Sequence, residues 1–166
     1  MTHVVIIGAY GSAGAAVAGE LAGRDGIDLT LVDDGDPGGG LCILKGCMPS
    51  KEILSAAAHR FQARHDERLV GEVPDVDLEN VVERKDDHVL GWAEHRREGV
   101  HELAERDGVE FVHATAEFVD DHTVRAGGRT FEADYVVVAT GSTVNVPDLP
   151  GIDAVDYTTS ADVLDA

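Results

Sequence analysis

Cys42 and Cys47 are the only cysteines of the 166-residue chain, and they sit in the run Gly38-Gly39-Gly40-Leu41-Cys42-Ile43-Leu44-Lys45-Gly46-Cys47-Met48-Pro49-Ser50-Lys51. The chemistry open to such a pair is thiol–disulfide exchange, in which the thiolate is the attacking form. Two of the three lysines, Lys45 and Lys51, flank the cysteines, and positive charge favours the thiolate. A bridge between the two sulfurs needs Cα atoms within about 7 Å. In an unbroken α-helix, positions i and i+5 are already about 7.5 Å apart along the axis. A helix carrying both residues must therefore be distorted if the sulfurs are to meet. Gly46 and Pro49 supply a distortion, since glycine tolerates unusual φ and proline removes a backbone donor. Residue types alone leave two readings open: a reactive pair, or two buried or unpaired thiols.

The elements that must position these groups begin with His3 to Ile7, a short β-branched run ended by Gly8. Small residues from Gly11 to Ala22 follow and suit a closely packed helix. Asp28 to Val32 reads as the second strand of a βαβ unit, and residues 33–40 as an irregular turn leading into the cysteines. From Ser50 to about Arg68 the composition is helical, with Ile53, Leu54, Ala57 and Phe61 expected on one buried face. Gly71 to Asp77 is a linker. Leu78, Val81, Val82, Val89, Trp92, Ala93, Val100 and Leu103 keep a helical period, giving one long helix or two up to about Arg106, with Gly91 and Gly99 as places to bend. Trp92 is expected in the core. His88, His95 and His101 are expected in solvent, because their spacings match no common metal motif, and no metal site is assigned. Val109 to His113 reads as a strand. Ala116 to Val119, His122 to Ala126 and Arg129 to Phe131 read as a small antiparallel meander with a Gly127-Gly128 turn, and Tyr135 to Ala139 as a further buried strand bounded by Gly141.

The turn after the first strand is Gly8-Ala9-Tyr10-Gly11-Ser12-Ala13-Gly14. A glycine-rich turn between a strand and a helix places free backbone N–H groups and a positive helix end where a pyrophosphate can bind. It is not a plain G-x-G-x-x-G, because Tyr10 stands where the second glycine belongs. Allowing one inserted residue gives Gly8, Gly11 and Gly14 the three glycine roles. Asp33 lies nineteen positions after Gly14, at the end of the second strand, where an acid can accept from ribose hydroxyls. Asp34 is the second choice for that role.

The cysteine run resembles, residue by residue, the redox-active motif of the FAD-dependent pyridine nucleotide-disulfide oxidoreductases, the group of dihydrolipoamide dehydrogenase, glutathione reductase and mercuric reductase. The resemblance implies that Gly39 and Gly40 bring the backbone near FAD, that Cys42 exchanges with substrate, that Cys47 lies against the isoalloxazine, and that Lys51 places its charge near the flavin's reactive nitrogen. The segment from Thr130 through Tyr135-Val136-Val137-Val138-Ala139-Thr140-Gly141 resembles the second nucleotide-proximal motif of the same family, a strand ending in Ala-Thr-Gly. Val146 to Ile152 resembles the connection after it. By this resemblance the fold is α/β: a Rossmann-like FAD-binding domain over residues 1–166, with a mainly parallel sheet, flanking helices and a small antiparallel β-meander. It is incomplete relative to the family.

The implied activity passes electrons from NAD(P)H through FAD to a Cys42–Cys47 redox disulfide, and on to a disulfide or metal-ion substrate. Relatives carry an NAD(P)H-binding domain, a return segment with a Gly-Asp motif and a dimerisation domain bearing a catalytic histidine-glutamate pair. None of these is found here, so NAD(P)H would act as co-substrate only if the missing domain is supplied. The expectation is a truncated or split chain. A catalytically inactive nucleotide-binding module or thiol redox sensor is the alternative, and a plain NAD-binding domain a weaker one.

An apolar share of 43% fits one globular domain. With 32 acidic against 13 basic residues the formal charge is -19, which argues against nucleic acid as a partner. The acids are spread along the chain rather than gathered in a tail, as in salt-loving microbes. No apolar run is long enough to cross a membrane and no secretory signal is visible, so the expected location is cytoplasmic, where a disulfide is more often catalytic than structural. By the resemblance, the missing pieces would leave hydrophobic sheet edge and interface exposed, so a complementing chain or a homo-oligomer is expected.

Overall fold

The computed structural model describes residues 1–164. A four-stranded parallel sheet forms the centre, built from β1 (Thr2–Ile7), β2 (Ile27–Asp33), β3 (Val109–His113) and β7 (Tyr135–Val138), in the order β3-β2-β1-β7. Val4 and Ile6 of β1 pair with Leu29 and Leu31 of β2 on one side and with Tyr135 and Val137 of β7 on the other. Because side chains alternate along a strand, the two faces carry separate cores. Val4, Ile6, Leu29 and Leu31 pack under α1 (Ser12–Leu21) and the long helix α4 (Leu78–Ala104), against Ala18 and Val100. Val5, Ile7, Val32 and Val112 pack on the other face against Val124, Ala126 and Phe131.

Those last three residues belong to a separate antiparallel sheet of β4 (Ala116–Asp120), β5 (Thr123–Ala126) and β6 (Arg129–Glu132), the expected meander. With both faces covered, β1 and β2 read as nearly continuous apolar runs, as parallel strands do. A full burial of each Val, Leu or Ile contributes about 1.5–3 kcal/mol.

Two helices carry the cysteine run. The short α2 (Gly40–Leu44) stops at Lys45, and α3 (Cys47–His65) starts two residues later. Asp77 ends the linker and caps α4, its side chain accepting from the Asn80 N–H at 3.1 Å.

Several expectations need correction. Leu54 and Phe61 of α3 are 65% and 63% exposed, so their periodicity marks an apolar face with no cover among the described residues. Helix α3 also starts at Cys47 rather than Ser50. The strand expected through Ala139 ends at Val138, and among the described residues it is an outer strand with β1 as its one neighbour: Tyr135 and Val138 are 66% and 61% exposed. Trp92 is half-buried and tilts against His88, their rings 5.5 Å apart. Of the two outcomes expected for residues 78–106, one long helix is the one found, and α4 runs through Gly91 and Gly99. His88, His95 and His101 are exposed as expected, and His101 Nε2 also lies 2.8 Å from the Tyr10 hydroxyl.

Candidate nucleotide cleft and cysteine pair

Chain order in the parallel sheet reverses between β1 and β7, and in open α/β sheets the crevice at such a point, beyond the carboxyl ends of the strands, is where ligands bind. A cleft of about 340 Å³ opens there, lined by Ile7, Gly8, Gly11, Val32, Asp33, Asp34, Gly40, Leu41, Ala114, Thr115, Ala116, Ala139, Thr140 and Gly141. Three separated stretches of sequence, the glycine-rich turn, the approach to Cys42 and the Ala-Thr-Gly segment that follows β7, thus meet at one place.

The turn is held by its own backbone. The Gly8 and Ala9 N–H groups donate to the Val32 carbonyl at 2.8 and 3.2 Å, and the Ala139 N–H donates to the Ile7 carbonyl at 2.8 Å. Gly8 has φ +92°, and a β-carbon there would run into the Ala139 carbonyl. Gly14, buried in α1, lies so close to Gly8 that a β-carbon would strike the Gly8 carbonyl. This contact seats the helix end directly over the strand. The N–H groups of the first turn of α1 have no intrahelical acceptor, and the Gly11 cap offers no side chain to take them. They are donors suited to an anion.

Gly40, with φ +67°, brings the start of α2 against Gly11, where a β-carbon would come within 2.7 Å of the Gly11 Cα. The cysteine-bearing segment therefore packs directly on the nucleotide turn. Cys42 is half-buried and Cys47 exposed, both as free thiols. The helix breaks at Gly46, where a β-carbon would approach the Leu41 carbonyl at 2.9 Å. The break lets the two side chains face each other. A hydrogen bond with Cys47, then burial, pushes the Cys42 thiol above its usual range, while the Lys51 charge pulls it back.

Of the residues expected at the site, Gly8, Gly11, Asp33, Asp34, Gly40, Ala139, Thr140 and Gly141 line the cleft. Gly14 and Gly39 are buried behind it, Cys42 follows immediately after the lining residue Leu41, Cys47 lies six positions after Leu41 at the start of α3, Lys51 is exposed on α3, and Ser12 opens α1 facing the groove between α1 and α4. Asp33 has both oxygens on turn amides, Oδ2 on Tyr10 N–H and Oδ1 on Gly35 N–H, each at 2.8 Å. Asp34 accepts from the Thr115 hydroxyl at 2.7 Å.

Leu41 and Ala114-Thr115-Ala116 were not legible as site residues. A signal for the latter existed: they follow β3 at the same end of the sheet as Asp33. Among the described residues no cluster of three or more His, Cys, Asp or Glu could hold a metal, and no helix is long and apolar enough to cross a membrane.

The glycine contacts and the cleft suit a dinucleotide: close backbone, unpaired helix N–H groups and a carboxylate beside them. Known proteins resemble this chain in sequence and in fold. The chain is 32% identical over 158 residues to the mercuric reductase of Staphylococcus aureus, covering 93% of this chain and 28% of that protein. It is 34% identical over 160 residues to the dihydrolipoyl dehydrogenase of Halobacterium salinarum, covering 92% and 32%, and 38% identical over 149 residues to dihydrolipoyl dehydrogenase 2 of Haloarcula marismortui, covering 85% and 30%. It therefore spans about a third of the length of the curated relatives it matches. A solved structure of the HOCl-induced flavoprotein disulfide reductase RclA from Escherichia coli, as its Cu(II) complex, superposes with a TM-score of 0.72 at 26% identity, over 98% of this chain and 33% of that one. A family model described as pyridine nucleotide-disulphide oxidoreductase matches residues 2–166, and the chain belongs to that family.

Proposed function

We propose that residues 1–166 are the FAD-binding portion of a flavin-dependent thiol-disulfide oxidoreductase, with Cys42 and Cys47 as its exchangeable pair. The observation that supports this reading most is that the glycine turn of the cleft and the segment delivering the cysteines are in backbone contact, at Gly11 and Gly40. Bound FAD supplies a two-electron carrier. The chain's own residues do the rest. Gly8, Gly11 and the N–H groups at the start of α1 would receive the pyrophosphate, Asp33 or Asp34 would meet the ribose, and Ala139-Thr140-Gly141 would line the same cleft.

The pair works by exchange: one thiolate attacks a substrate disulfide and expels a thiol, then the second attacks the resulting mixed disulfide. The chain loses two protons and two electrons, and the substrate becomes two thiols. Lys51 favours the attacking thiolate, against the hydrogen bond and burial that hold Cys42 protonated. NAD(P)H would reduce the flavin through a further domain, on the same polypeptide or on a complementing chain. A metal ion such as the mercury of the named relatives is the other class of substrate the pair suits, since thiolates bind soft metals. An acidic surface carrying -19 suits a cytoplasm rich in salt.

The test is equilibration of the full chain in dithiol–disulfide buffers of graded potential, in molar salt, with the free thiols counted at each step. The reading predicts one reversible transition that consumes both thiols, absent in Cys42→Ser and in Cys47→Ser. Two thiols that stay free across the range, or that oxidise only between molecules, would contradict it.

A further inference from the structure

The residue added to the nucleotide turn is held by its backbone and by its side chain alike. Tyr10 stands in the position that spoils the glycine spacing, yet it is 2% exposed and does not line the cleft. An extra residue in a turn must either bulge toward the ligand or fold away from it. Here it folds away and is fixed at every polar atom. Its N–H donates to Asp33 Oδ2 at 2.8 Å, and its carbonyl accepts from Arg96 Nη1 at 3.3 Å. Its hydroxyl meets His101 Nε2 at 2.8 Å. Burial first, and then the Asp33 charge, push the phenol above its usual range.

The ring packs 5.2 Å from that of Phe111, centre to centre, and covers Gly38, where a β-carbon would come within 3.1 Å of it. Gly38 begins the segment that delivers Cys42. One side chain is thus wedged between the pyrophosphate turn, β2, β3, α4 and the approach to the cysteines.

We infer that Tyr10 is a positioning residue for nucleotide binding, an internal peg that absorbs the inserted position and holds the turn's N–H groups at the cleft without touching the ligand. This rests on the reading of the cleft as an FAD site. A rigid, packed ring pre-sets donor positions that a free loop would have to order on binding.

The test measures dissociation constants of the full chain and its variants for FAD and for ADP, which carries only the adenosine and pyrophosphate part, well below each variant's thermal midpoint. Tyr10→Phe, which keeps the ring, is expected to stay within about three-fold of the parent. Tyr10→Ala is expected to weaken FAD and ADP alike by about ten-fold or more, with Tyr10→Leu between the two. A role in stability alone would lower the midpoint and leave these affinities unchanged. Should Tyr10→Ala not fold, Tyr10→Leu retains apolar volume and must still show the parallel loss.

Unchanged ADP affinity in Tyr10→Leu and in any folded Tyr10→Ala would overturn the inference. So would a loss confined to FAD. A parent chain that binds neither FAD nor ADP would instead sink the FAD reading itself.

Discussion

The carboxyl end of the parallel sheet and the outer surface of α3 and β7 are built from similar residue types and have opposite fates. At the first, β1, β2 and α1 cover one another so closely that Gly8 and Gly14 leave no room for a β-carbon. At the second, Leu54, Phe61, Tyr135 and Val138 lie largely exposed, although a helical face and a β-branched run predict burial for all four. Pattern fixes which side of an element is apolar, whereas burial also needs a partner. The cleft brings its partners from within residues 1–164. Among the described residues α3 presents an apolar face and β7 an open strand edge, each the kind of area that proteins cover with further structure.

The contrast can be broken most severely at the glycine contact. Gly14→Val drives two methyl groups toward the Gly8 carbonyl and should cost about 3 kcal/mol or more, read as a drop in the denaturant midpoint together with loss of nucleotide binding. A tolerated valine would mean that α1 does not sit on the strand as described. Next in size, Ile6→Ala removes a fully buried side chain and should cost about 2–5 kcal/mol. Phe61→Ser, on the exposed face of α3, should stay within about 0.5 kcal/mol. Equal costs for these two would erase the distinction between the regions.

A smaller effect concerns the cysteines. Lys51→Met removes the charge that opposes the upward push on the Cys42 thiol. Because that charge stabilises the thiolate, its loss should move the pH profile of iodoacetamide alkylation upward and slow alkylation of Cys42 near neutrality. An unmoved profile would place Lys51 out of electrostatic reach. The whole-molecule effect is screening: with -19 formal charge, the thermal midpoint should rise between dilute buffer and molar salt.

Much of the cleft was legible because its chemistry is local in sequence. The glycine turn, Asp33, the Ala139-Thr140-Gly141 strand end and the broken helix between the cysteines each follow from residues a few positions apart, and the parallel sheet then brings them together. Thr115 and its neighbours were not legible, since they line the cleft through their position after β3 and carry no motif. Tyr10 looked like a defect in the fingerprint. Its anchors on Asp33, Arg96 and His101 lie 23, 86 and 91 residues away, contacts that no local pattern announces. The exposure of Leu54 and Phe61 was hidden for the converse reason, because periodicity reports a face and not what covers it.

The most direct check is equilibrium dialysis of the full chain against FAD in molar salt, with and without excess ADP. The account predicts about one FAD retained per chain, displaced by ADP and lost in Gly14→Val. Failure of the folded parent chain to retain any flavin would contradict it.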